Sequence, residues 1–140
     1  MTLPIPVLGG TTLVADQTYS AQWASVLRDA DVYLLEADLA GIEGEQGFFD
    51  VLRHALALPE GDVLSNWDGF SDDLWTSVAS STGDAGVIVL RNVDALAAAD
   101  LGALLEAVDV VRSVARRAAQ GVPREVELYL VLTGAGPSFR

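Results

Sequence analysis

Apolar residues recur along this chain with two periods, and the alternation between them outlines a fold. Val32 to Ala37, Val87 to Leu90 and Val126 to Leu132 are short, almost unbroken apolar runs. Such runs suit strands buried on both faces. Between the first two runs the period changes to that of a helix. Phe48, Phe49, Leu52, Ala55 and Leu56 share one face of a helix over Phe48 to Leu58, and Pro59 ends it. A second helix begins near Trp67, with Trp67, Phe70, Leu74 and Val78 as its apolar stripe. After the second strand, Asp94 to Ala99 reads as a short helix and Leu101 to Gln120 as a longer one. The longer helix turns Leu104, Leu105, Val108, Val111, Ala115 and Ala118 inward, and Gly121 and Pro123 stop it. The Gly- and Glu-rich stretch Asp38 to Gly47 reads as a loop.

Three apolar strands separated by pairs of helices predict an α/β fold with a small three-stranded parallel sheet. The order is β-α-α-β-α-α-β, because parallel neighbours need helical crossovers that also cover the sheet. The core of this unit runs from about 32 to 132. Residues 1–31 form an N-terminal extension with a short strand at Thr12 to Ala15 and a helix at Ala21 to Asp29. Residues 133–140 form a loose tail. No linker separates two domains, so 1–140 is expected to be one domain.

Composition narrows the function. With 51% hydrophobic residues the chain has enough apolar material for a core, and a net charge of -12 argues against nucleic acid and anionic membranes as partners. The same charge favours a basic protein partner. All eight basic side chains are arginine, and there is no lysine and no cysteine. Lysine-dependent nucleotide binding, Schiff-base chemistry and thiolate metal sites are thereby excluded. The one histidine, His54, reads as a surface or partly buried helix residue and not as a catalytic one. The start of the chain lacks the positive region of a secretory signal, and the absence of cysteine suits the cytoplasm.

The acidic residues are not evenly spread. Glu60, Asp62, Asp68, Asp72 and Asp73 fall in a stretch with no basic residue. Ser65 or Asn66 is placed to cap the helix that starts at Trp67. At about 100° per residue, Asp68, Asp72 and Trp75 share a flank beside the apolar stripe. Two carboxylates four residues apart on a helix repel each other. Folding alone does not ask for that pair, whereas a surface meant for a cationic partner does. Asp68, Asp72 and Asp73 carry oxygens that magnesium could take, but Asp73 points about 100° away from Asp72, and no base, lysine or glycine-rich phosphate loop accompanies them. The chain is therefore expected to be no enzyme, with no cofactor and no metal.

Leu56-Ala57-Leu58-Pro59-Glu60, followed by Asn66-Trp67-Asp68-Gly69-Phe70-Ser71-Asp72-Asp73-Leu74, resembles the barstar family of intracellular ribonuclease inhibitors. The order of strands and helices over about 32–132 is similar too. The resemblance implies that this helix and the preceding loop plug the active site of a small basic ribonuclease. Acidic side chains would then stand in for RNA phosphates. It implies Asp72 as central anchor and Asp68 as second charged contact. Asn66 organises the helix start, and Trp75 and Thr76 border the contact. Asp62, from the acidic loop, completes the expected partner-binding set. The protein would act as a cytoplasmic immunity protein and monomer.

Two departures from the family pattern are visible. The loop Gly61-Asp62-Val63-Leu64-Ser65 lacks the usual aromatic, and Arg116 and Arg117 fall nearest to where the family carries an acidic contact on the last helix. These favour an alternative, a protein-interaction module of the same fold with a partner other than a ribonuclease. Such a module would use the arginines of the long helix.

Overall fold

The computed structural model describes residues 12–16, 32–58, 64–81, 83, 85–120 and 125–134. The elements are β1 (Thr12–Asp16), β2 (Tyr33–Asp38), α1 (Glu45–Ala55), α2 (Trp67–Ala79), β3 (Ala85–Arg91), α3 (Val93–Ala99), α4 (Leu101–Ala119) and β4 (Glu127–Gly134). All strands are parallel, in the order β1-β4-β3-β2. The three expected strands and their paired helical crossovers are present. The N-terminal segment adds β1 as a fourth strand, with Thr12 opposite Leu130 and Asp16 opposite Gly134. The sheet is thus one strand wider than the apolar runs alone suggest. The expected helix at Ala21 to Asp29 lies outside the described residues.

The apolar runs behave as two-sided strands. Leu35, Ala37, Ile88, Leu90, Leu128 and Leu130 join one cluster with residues of all four helices. The alternate positions Val87, Val89 and Val131 are buried as well. Within the cluster, Phe48, Phe49 and Leu52 come from α1, Phe70, Leu74 and Val78 from α2, and Ala107, Val111 and Ala118 from α4. α2 packs against α4, which holds the acidic helix on a broad apolar base.

Local chemistry explains the boundaries. α1 starts at Glu45, inside the expected loop, and its last turn closes at Ala55 rather than Leu58. Ala57 adopts a left-handed conformation, with its N–H on His54 O and that of Leu58 on Arg53 O. Leu58 precedes Pro59, a position that disfavours helix. Asp100 divides α3 from α4: its backbone N–H closes α3 on Leu96 O, and its Oδ1 accepts the N–H of Ala103 at 3.0 Å. β4 runs on to Gly134, so Thr133 and Gly134 belong to the sheet and not to a loose tail.

The apolar pattern turns Leu105 inward, yet it is 60% exposed. The buried arc of α4 is centred on Ala107, Val111 and Ala118, with Ala103 and Val114 on its edge. Leu105 sits about 100° beyond Leu104 and falls outside that arc. Small alanines, which a hydrophobicity pattern weights lightly, face the neighbouring elements here.

Candidate functional site

The acidic flank of α2 is built from its first turn outward. Leu64, 3% exposed, anchors the chain in the core three residues before the helix. Asn66 is extended, and its Oδ1 accepts the N–H of Gly69 at 2.7 Å. One of the free amides at the helix start is thereby satisfied, and of the two expected caps, Ser65 and Asn66, it is Asn66 that forms the bond. Gly69 leaves room for that bond: a Cβ there would lie 3.3 Å from Asn66 Oδ1.

Trp67 fixes the first turn against α1. Its ring lies 4.8 Å from Phe49, 5.5 Å from Phe48 and 6.3 Å from Phe70, centroid to centroid. The indole Nε1–H donates to Glu45 Oε2 at 3.2 Å. Trp67 is half-buried rather than fully inside, and Glu45, within the stretch expected to be a loop, is an exposed acceptor in the first turn of α1. At the far end, Tyr33 OH and Ser77 Oγ share a hydrogen bond of 2.7 Å between β2 and α2. Ser80 closes the helix on Thr76 O through both its N–H and its hydroxyl. The helix is therefore tied at its start, along its apolar stripe and at its end.

On this scaffold Asp68 and Asp72 are both exposed, on the flank that the helical period predicts. Among the described residues neither is paired with an arginine of this chain. Asp68 stands in the first turn, where the helix dipole favours a negative charge. Thr76 is exposed beside them and Asn66 lies at the helix mouth. Asp62 falls outside the described residues. The structure thus brings five of the six expected contact residues onto one helix.

Trp75 is half-buried, and the Arg117 guanidinium lies over its ring, 4.1 Å from the centroid. A cation over an indole face is attracted by the ring quadrupole. One face of Trp75 is therefore covered by an exposed guanidinium from α4. Helical spacing did not single out Glu45, and it placed Arg117 on the long helix without any contact to Trp75. Arg117 is forty-two residues from Trp75, and only the packing of α2 on α4 joins them.

Among the described residues no group of three or more His, Asp or Glu side chains is placed to hold a metal ion. His54 is exposed, with Nδ1 on Asp50 O at 3.0 Å. No helix among the described residues is long and apolar enough to cross a membrane.

A comparison with curated proteins finds no match to the chain. Residues 32–132 match the model of the family described as Barstar (barnase inhibitor), which covers both crossovers and the whole of α2. The members of that family are non-enzymatic inhibitors that bind barnase-type ribonucleases. With well over half of its length matched, the chain belongs to the barstar family.

Proposed function

We propose that this protein inhibits a small basic ribonuclease by laying α2 across the enzyme's RNA-binding cleft. Asp72 is the anchor and Asp68 the second charge, each meeting cations that otherwise hold RNA phosphates. Asn66, Thr76 and the capped Trp75 border the contact, and Asp62 adds charge from the preceding loop. The protein acts as a monomer in the cytoplasm, as an immunity protein that protects the cell from the nuclease.

The observation that carries this reading is the exposed Asp68–Asp72 edge, unpaired among the described residues, on a helix braced at three places, in a chain of the barstar family. Two like charges held side by side disfavour each other in the free protein. Cations on a partner relieve that repulsion. Because the helix is already fixed, little conformational entropy is lost when the carboxylates pair.

The test is titration of a barnase-type ribonuclease with this protein while RNA cleavage is followed. Inhibition should be near-stoichiometric. Asp72→Ala should weaken binding by at least about 2 kcal/mol, roughly thirty-fold, the level that marks a dominant interface residue. Its urea midpoint should stay unchanged. Full-strength inhibition by Asp72→Ala would place the contact elsewhere.

A further inference from the structure

We infer that Arg117 selects the partner, and that the ribonuclease this protein fits presents a carboxylate opposite it. The inference rests on the contact face proposed above and specifies the chemistry of its far end. Along the flank of α2 the order is Asp68, Asp72, Trp75. Trp75 is one turn beyond Asp72, about 4.5 Å along the helix axis. The guanidinium of Arg117 lies 4.1 Å above Trp75 and is exposed. The acidic row therefore ends on a cation.

Arg117 is distinct from the other arginines of α4. Arg116 is about 100° around the helix from it, and its Nη2 donates to Ser113 Oγ at 3.1 Å. Arg117 alone among the described arginines stacks on an aromatic ring. The cation–π contact restrains a long, flexible side chain over the indole. Among the described residues its N–H groups have no hydrogen-bond acceptor, and a guanidinium grips a carboxylate with two parallel hydrogen bonds.

A ribonuclease cleft that is cationic along its whole length would meet Asp68 and Asp72 well and Arg117 badly. Like charges brought together at an interface exclude a partner as effectively as opposite charges recruit one. The face is thus bipolar. It accepts a nuclease whose cleft ends in an acidic side chain about one helical turn past the cation that meets Asp72.

The probe is barnase, whose cleft holds RNA phosphates. Affinity is measured for the wild-type protein and for Arg117→Ala, Arg117→Glu, Arg117→Lys and Asp72→Ala, each checked by urea unfolding. Arg117→Ala should bind barnase about ten-fold more tightly than wild type, and Arg117→Glu more tightly still. The gain should shrink as salt is raised. Arg117→Lys keeps the charge and should stay within about threefold of wild type, which separates charge from bracing of α2. Unchanged or weaker binding by Arg117→Glu, with Asp72→Ala still impaired, overturns this inference alone. Indifference of barnase to substitution at both positions overturns the proposed contact face as well.

Discussion

Trp67 is the side chain on which the rigidity of the acidic helix most depends, so its removal makes a quantitative prediction. The indole meets three phenylalanine rings at centroid distances of 4.8, 5.5 and 6.3 Å. Each falls in the range where an aromatic pair contributes about 0.5–1.5 kcal/mol beyond its buried area. A fully buried tryptophan replaced by alanine costs about 3–5 kcal/mol. Trp67 is half-buried, so Trp67→Ala should cost about 2–4 kcal/mol. Trp67→Phe keeps the ring contacts and loses only the Nε1–H bond to Glu45 Oε2. That bond is exposed, and its loss together with the smaller ring should cost about 1 kcal/mol. The assay is urea unfolding followed by far-ultraviolet circular dichroism, with the slope against denaturant constant across variants. Three tryptophans make fluorescence a poor local probe. A Trp67→Ala cost below about 1 kcal/mol would refute the claim that this ring pins α2 to α1. So would equal costs for the Phe and Ala variants, because the ring contacts would then contribute nothing.

Asn66→Ala removes the acceptor for the Gly69 N–H and should cost about 1 kcal/mol, with faster amide hydrogen exchange confined to the first turn of α2. Gly86→Ala should destabilise by about 1–3 kcal/mol in urea unfolding, because a Cβ would come within 2.9 Å of Leu128 Cδ1 and 3.2 Å of Tyr33. Tyr129 donates its phenolic hydrogen to Glu127, and that bond first, then burial, pushes its pKa up to about 12. Its folded-state value thus lies above the ordinary phenol value. The associated stability is complete below about pH 10 and is lost between about 10 and 12, as the unfolded chain ionises first. Phenolate absorbance of the native protein compared with Tyr129→Phe should show no ionisation of this residue near pH 10.

Much of the scaffold was legible because it depends on local rules. Continuous apolar runs marked β2, β3 and β4, and helical spacing marked all four helices. The cap was narrowed to Ser65 or Asn66, since a short side-chain oxygen before an apolar stripe suits that role, and Asn66 fills it. The flank carrying Asp68 and Asp72 followed from the helical period once Phe70, Leu74 and Val78 were assigned inward. What escaped depends on contacts distant in sequence or on unusual local geometry. The start of α1 was hidden by Gly44 and Gly47, which read as loop residues. Gly47 lies close to Ile42, where a Cβ would approach Cγ2 to 3.2 Å, so its absence of a side chain has a packing reason. Leu105 was misplaced because alanines line the buried arc of α4. The stacking of Arg117 on Trp75 and the bond from Trp67 to Glu45 join elements far apart in sequence, and no periodicity encodes them.

The central claim is that two ready-made negative charges on a stiff helix meet a cationic nuclease site. Its most direct measurement is the association rate of this protein with a barnase-type ribonuclease across a series of salt concentrations, for wild type and for the Asp68→Ala/Asp72→Ala double variant. Wild type should associate fast at low salt and slow steeply as ionic strength rises. The double variant should associate more slowly throughout, with a visibly flatter salt dependence and a shorter-lived complex. Superimposable curves for the two proteins would contradict the account.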